Sequence, residues 1–357
     1  MSRIPVTILT GFLGAGKTTL LNRLMAEPGF GDTAVIVNEF GDAAIDGGLI
    51  AQADDRAFAM TTGCLCCTVA GDVRLTLLRL VDEAERGVGP SFSRVVIETT
   101  GIADPVPILQ TFMSDETMLA RFALNGVVTL VDGVNGAMAM ERFREAKRQV
   151  GVADLILLTK GDLARDPASR RDLEALMTAL RHENPNARQM AVAEATARDV
   201  FSLAAADVAG APPDAAAWLR FAPSTSAVED NAAHRHDTSD PHAAHSHGQS
   251  ASAFSFSAAA PIEIEALEAA IAALQTTFGP DLLRLKGLVE IDGHPGCPCV
   301  LHVVGCFSSP LRLLDGWPAG IDIGRMVVIV SGDDREEVPE MLRRSIPQLR
   351  SFVPEAA

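Results

Sequence analysis

Gly11-Phe12-Leu13-Gly14-Ala15-Gly16-Lys17-Thr18-Thr19 reads G-x-x-x-x-G-K-T and stands between an apolar run, Val6–Leu9, and a helical run, Leu20–Met25. That strand–loop–helix setting is what a phosphate-binding P-loop requires. Glycines at 11, 14 and 16 let the backbone aim successive N–H groups at phosphate oxygens. A helix starting near Lys17 adds the positive end of its dipole. The Lys17 ammonium can then reach β- and γ-phosphates, and the Thr18 hydroxyl can ligate Mg²⁺. Gly11, Gly14, Ala15, Gly16, Lys17, Thr18 and Thr19 are the expected phosphate-site residues.

Working outward, short apolar runs alternate with helical ones. Ala34–Asn38, Val95–Gly101, Gly126–Asp132, Leu155–Leu158 and Arg188–Val192 read as strands, and Asp72–Arg86, Ala137–Val150 and Ala168–Asn184 as helices. Such alternation implies a parallel sheet covered by helices, the α/β P-loop NTPase architecture. Val95–Ile97 leads into Glu98, and an acid there suits the second Mg²⁺-holding position; with Lys17 it makes the expected catalytic pair. Gly101 allows close approach to a γ-phosphate. After the strand at Leu155–Leu158 comes Thr159-Lys160-Gly161-Asp162, similar to the base-reading N/T-K-x-D of GTPases. The Asp162 carboxylate accepts from both N1–H and the exocyclic amine of guanine, whereas adenine offers no donor at N1. Thr159, Lys160 and Asp162 are therefore the expected base site, and Thr159 stands where Asn is commoner.

Cys64-Leu65-Cys66-Cys67 follows Gly63 and brings three thiols into four residues. As thiolates they are soft donors suited to Zn²⁺, Co²⁺ or Cu⁺. So short a loop rarely supplies four ligands, and Glu39 or Asp42, after the neighbouring strand, can complete an open shell. A redox role is the lesser alternative, since the common redox pair is C-x-x-C.

Together, Gly11–Thr19, Val37–Gly41, Gly63–Cys67, Glu98–Pro105 and Thr159–Asp162 resemble the CobW-type P-loop GTPases, the group with CobW proteins, zinc-regulated GTPase metallochaperones and nitrile hydratase activators. Leu282–Gly287 is similar to that family's smaller domain. The resemblance implies a GTPase with coupled metal and nucleotide sites, metal ligands Cys64, Cys66 and Cys67 with Glu39 plausible, and GTP, Mg²⁺ and Zn²⁺ or Co²⁺ as its ligands. It implies as partner a client metalloprotein or a metal-cofactor biosynthesis enzyme, and leaves room for a nucleotide-dependent homodimer. Slow intrinsic turnover is expected, because no arginine finger is evident. Two other readings stay open: a metal buffer or sensor with regulatory nucleotide binding, and a P-loop kinase using ATP.

The 357 residues suggest more than one domain. The expected division is 1–203 for the GTPase domain, 204–253 for a flexible linker and 254–350 for a small α+β domain. Residues 222–253 carry almost no large apolar side chain, so they cannot build a core. His234, His236, His242, His245 and His247 fall there and can chelate metal weakly or do little. Beyond, Pro261–Thr277 and Glu336–Ser345 read as helices and Leu282–Ile291, Cys299–Val304 and Met326–Val330 as strands. Cys297, Cys299, His302 and Cys306 read as core or surface residues, because Cys299 and His302 would face opposite sides of a strand. A formal charge of −16 argues against nucleic acid or anionic membrane as the main partner. No apolar stretch reaches a membrane span, and Met1–Pro5 carries no leader pattern, so a cytoplasmic location is expected.

Overall fold

The computed structural model describes residues 3–27, 30–39, 58–63, 69–89, 91–203, 251–318 and 321–351. Among these, the first domain is built on β1 (Ile4–Gly11), β2 (Thr33–Glu39), β3 (Phe58–Gly63), β4 (Arg94–Glu98), β5 (Phe122–Asp132), β6 (Leu155–Thr159) and β7 (Arg188–Ala191). Its order is β3-β2-β4-β1-β5-β6-β7, with every pairing parallel. Strands covered on both faces are apolar on both, which is why β6 is buried throughout. The helices are α1 (Lys17–Met25), α2 (Val69–Glu85), α3 (Val106–Ser114), α4 (Glu116–Arg121), α5 (Gly136–Arg142), α6 (Arg144–Gly151), α7 (Pro167–Glu183) and α8 (Ala197–Phe201).

The helix expected over Ala137–Val150 is in fact two. Phe143 between them is extended (φ −126°, ψ 121°) and caps both. Its ring lies 4.6 Å from that of Phe12 in the P-loop. The apolar periodicity runs on through this residue, but the aromatic contact with the P-loop accompanies a break in the helix.

The second domain comprises β8 (Ala251–Ala258), α9 (Ile264–Phe278), β9 (Leu282–Glu290), β10 (Pro298–Val304), β11 (Phe307–Ser308), β12 (Arg312–Leu313), β13 (Gly324–Ser331), α10 (Val338–Ser345) and β14 (Leu349–Ser351). The strands form an antiparallel sheet, β11-β10-β9-β13-β8-β14, with β12 on β10. β8 opens at Ala251, inside the stretch whose composition reads as linker. The amide of Ala251 donates to the buried Glu183 carboxylate at the end of α7, 2.8 Å away. Small and polar residues thus become a strand because their backbone is captured at one end by the first domain and along its length by β13.

The domains share a core. Val106, Ile108 and Val152 of the first pack in one cluster with Ala251, Leu283, Val304, Val327 and Ile329 of the second. No helix among the described residues is long and apolar enough to cross a membrane.

Candidate nucleotide and metal site

The P-loop leaves β1 under tight constraint. Gly11 has φ +143°, and a Cβ there would lie 2.4 Å from the Leu130 carbonyl oxygen of β5, so no side chain fits. Gly14 and Gly16 take left-handed conformations that cost little only for glycine. Lys17 begins α1 and is buried; its ammonium donates to the Gly11 carbonyl at 2.8 Å and the Phe12 carbonyl at 3.4 Å. Burial pushes this lysine below its ordinary range, and the negative charge of Glu98 opposes the shift.

One residue on, the Thr18 hydroxyl donates to Glu98 Oε1 at 2.8 Å. Glu98 is 4 % exposed at the end of β4, so two oxygen donors from opposite sides of the loop meet in a buried place. A hard, oxygen-seeking cation such as Mg²⁺ fits this pair. Beneath them, Thr99 Oγ1 donates to Thr10 Oγ1 at 2.8 Å, tying β4 to β1.

The Thr159–Asp162 motif closes the other flank. Lys160 sits in a left-handed turn (φ +56°), and its ammonium donates to Asp132 Oδ2 at 2.6 Å. Asp132, at the end of β5, also accepts from the amides of Val134 and Asn135. Burial alone would raise this carboxyl, but the Lys160 hydrogen bond and the two amides outweigh it and hold the group below its usual range. The Thr159 hydroxyl donates to the Val131 carbonyl, 3.3 Å away, and its methyl faces the place a Gly16 side chain would take, at 3.8 Å. Thr159 thus packs the base-motif turn against the P-loop. Asp162 stands exposed on the next turn, Gly161–Leu163. Spacing did not reveal Asp132, Asn135 or the Phe143 ring. A strand-terminal Asp before Gly-x-Asn was the available signal for Asp132, the acid that orients Lys160.

The thiols of Cys64, Cys66 and Cys67 lie outside the described residues, as do Asp42 and the linker histidines. The backbone registers what flanks them. Glu39 of β2 pairs with Gly63 of β3, the residue before Cys64; Val37 pairs with Glu98, and Glu98 with Leu9. The C-terminal ends of β3, β2, β4 and β1 therefore form one row, from Gly63 to the P-loop. Three strand spacings span that row, about 14 Å. In the second domain, Cys299 is buried, Cys297 half-buried and Cys306 exposed. No cluster of three metal-ligating side chains occurs among the described residues.

Comparison with known proteins agrees with both domains. The model of the CobW/HypB/UreG nucleotide-binding domain matches residues 5–188, and that of the cobalamin synthesis protein cobW C-terminal domain matches residues 251–346. The zinc chaperone YjiA of Escherichia coli is 48 % identical over 164 residues, covering 46 % of this chain and 51 % of that protein. The zinc-regulated GTPase metalloprotein activator 1 of Schizosaccharomyces pombe is 36 % identical over 172 residues, covering 46 % of this chain and 41 % of that one. The chain spans about half the length, or less, of these curated relatives. The crystal structure of Zn(II)-bound YjiA GTPase from E. coli aligns with a TM-score of 0.65 at 30 % identity, over 96 % of this chain and 99 % of that one.

Proposed function

The chain belongs to the CobW/HypB/UreG nucleotide-binding family, and on that premise we propose that it is a GTP-hydrolysing metal chaperone. It captures one Zn²⁺ or Co²⁺ through Cys64, Cys66 and Cys67, with Glu39, and hands it to a client metalloprotein or cofactor-building enzyme. The observation that carries this reading is the row of strand ends. Glu39 of β2 lies opposite Gly63 of β3, at the same end of the sheet as Glu98 and the P-loop, which supports a metal site on the phosphate side of the sheet.

Backbone amides of Gly14–Thr19 and the Lys17 ammonium bind the phosphates, and Lys17 exchanges its Gly11 carbonyl contact for them. Thr18 Oγ1 and Glu98 would hold Mg²⁺, which neutralises phosphate charge when bound. Asp162 accepts from the guanine edge, while Asp132 keeps the Lys160 stem over the base plane. Gly101 approaches the γ-phosphate, and the nucleotide state changes metal affinity at the cysteine site. Linkage makes the effect reciprocal: if GTP tightens metal binding, metal tightens GTP binding equally.

The test is titration of the reduced protein with Zn²⁺ and with Co²⁺, in the absence of nucleotide, with GDP and with a non-hydrolysable GTP analogue. A triple Cys64→Ala, Cys66→Ala, Cys67→Ala variant runs alongside. The expected result is one tight site, tightened by the analogue and lost in the variant. Metal affinity that ignores the nucleotide, or survives loss of all three thiols, overturns the switch and leaves a buffer. Competition between GTP and ATP tests the base assignment.

A further inference from the structure

One helix, α6, touches both the loop that follows Glu98 and the second domain. Gln149 is 1 % exposed. Its side-chain amide donates to the carbonyls of Gly101, at 3.2 Å, and Ala103, at 3.0 Å. Two carbonyls orient the amide nitrogen, so Oε1 is turned away from them, buried and without a hydrogen-bond donor. The neighbouring Arg148 is 5 % exposed. Its Nε lies 2.9 Å from Asp104 Oδ2, and its Nη1 donates to Asp281 Oδ1 at 3.2 Å. It also donates to the Pro280 carbonyl. Asp281 belongs to the second domain, between α9 and β9. The same carboxylate pairs with Arg144 and accepts from Ser331 of β13 at 3.0 Å.

On its other side the 101–104 loop presses on the P-loop. A Cβ on Gly101 would lie 2.7 Å from the backbone of Leu13. The contacts thus form an unbroken chain: P-loop, Gly101–Asp104, Gln149 and Arg148, Asp281, Ser331. The Thr100 hydroxyl, just before this loop, is buried and has no hydrogen-bond partner. The entrance to the loop therefore holds an unused donor and Gln149 an unused acceptor, which suits a joint with a second arrangement available to it.

We propose that Gln149 and Arg148 are positioning residues for the γ-phosphate-sensing loop, and that Asp281 of the second domain sets their position. The proposal rests on the GTPase reading of the site. A diphosphate is held by the P-loop alone, whereas a triphosphate also needs the 101–104 loop in place. Loosening the Asp281 anchor therefore weakens binding of GTP and leaves GDP unaffected. In the reverse direction, any partner that displaces the second domain's hold on Arg148 changes the nucleotide preference.

The experiment uses the full chain with Mg²⁺ and fluorescent GDP or a fluorescent non-hydrolysable GTP analogue. Wild type is compared with Asp281→Asn, Gln149→Ala and the double variant, and with Arg144→Gln, which loses an Asp281 contact without touching the loop. Asp281→Asn and Gln149→Ala are each expected to lower the analogue-to-GDP affinity ratio about fivefold or more. The double variant should fall short of their product, because both act on one loop, and Arg144→Gln should stay near wild type. Equal losses for both nucleotides, which a merely structural role would give, overturn the proposal, as does an unchanged ratio in Asp281→Asn. Asp281→Asn changes a half-buried side chain by one isosteric atom and decides the matter even if Gln149→Ala does not fold. Wild type that fails to bind the analogue at all sinks the GTPase reading itself, and the positioning role with it.

Discussion

Two charged seats between the domains are built to opposite designs. At one, Asp154 of the first domain meets Arg284 and Lys286 of β9, at 3.0 and 2.5 Å, and all three side chains are 7 % exposed or less. Arg284 also donates to the Val152 carbonyl, and Asp154 accepts from the Val127 amide. At the other, Asp281 of the second domain meets Arg144 and Arg148 of α6 with its own side chain 24 % exposed and that of Arg144 48 %. The first seat is dry, so its charges act through a low dielectric, and Asp154 cannot leave without stranding both cations. The second is partly wet, so partners there can be exchanged at small cost. The dry seat lies just before β6, beside Val127 of β5; the wet one adjoins the 101–104 loop. In the proposed switch, the first would be the joint that holds and the second the one that gives.

The most direct way to break the contrast is truncation. Asp154→Ala leaves Arg284 and Lys286 buried without their carboxylate, and an expected loss of about 3–5 kcal/mol would show as a large drop in the urea midpoint. Asp281→Ala leaves Arg148 with Asp104, and about 1–2 kcal/mol is expected in the same measurement. Comparable losses would mean that the two seats do not differ in kind.

Removing the dry seat wholesale sharpens the point. Asp154→Leu, Arg284→Met and Lys286→Met together should recover most of what Asp154→Ala loses, since no charge remains unpaired. The triple variant should leave the analogue-to-GDP affinity ratio unchanged, because none of its residues touches the 101–104 loop. A changed ratio would place the switch at the wrong joint.

Acid provides the next test. Burial works to raise Asp154, but Arg284, Lys286 and the Val127 amide hold it far below the usual carboxylate range. Its contribution is therefore complete above the ordinary Asp value, about 4, and is lost progressively as pH falls below it. Burial, aided by the charges of Arg284 and Lys286, likewise pushes His302 well below its ordinary value. The unfolded chain takes up a proton there from about pH 6.5 downward that the folded chain refuses, so stability falls in that window too. Urea midpoints measured from pH 7 to pH 3 should decline in both steps, and Asp154→Asn should lose the lower one.

The smallest expected effect is that of salt. Between about 0.05 and 0.5 M NaCl the stability difference between wild type and Asp281→Ala should shrink by a few tenths of a kcal/mol, whereas that for Asp154→Ala should hold. Equal screening at both sites would show that water reaches the dry seat.

What could be read from the chain alone followed local rules. The P-loop was legible because its glycines and Lys17 answer to backbone geometry within nine consecutive residues. The strands β1, β4, β5 and β6 were legible because burial on both faces leaves an uninterrupted apolar run. Glu98 could be assigned beside Thr18 from its place at the end of such a run, and the structure sets the two 2.8 Å apart. The role of Asp132 escaped, because it arises from the pairing of β5 with β6, which brings Asp132 beside Thr159. The break at Phe143 escaped too, since the ring it stacks on is far away in sequence. Strand β8 was partly hidden in low-complexity composition, its order coming from Glu183 and β13.

The sequence by itself therefore determined the fold class, the family and the residues expected at the phosphates, because those depend on neighbours along the chain. Only the tertiary structure decided which end of the sheet collects Gly63, Glu39 and Glu98. It also decided that α6 reaches from Gly101 to Asp281, and that one buried carboxylate, Asp154, gathers two cations from another domain. The contacts between the domains join residues over a hundred positions apart, and a contact of that kind exists only once strands have chosen their register and two domains share a core.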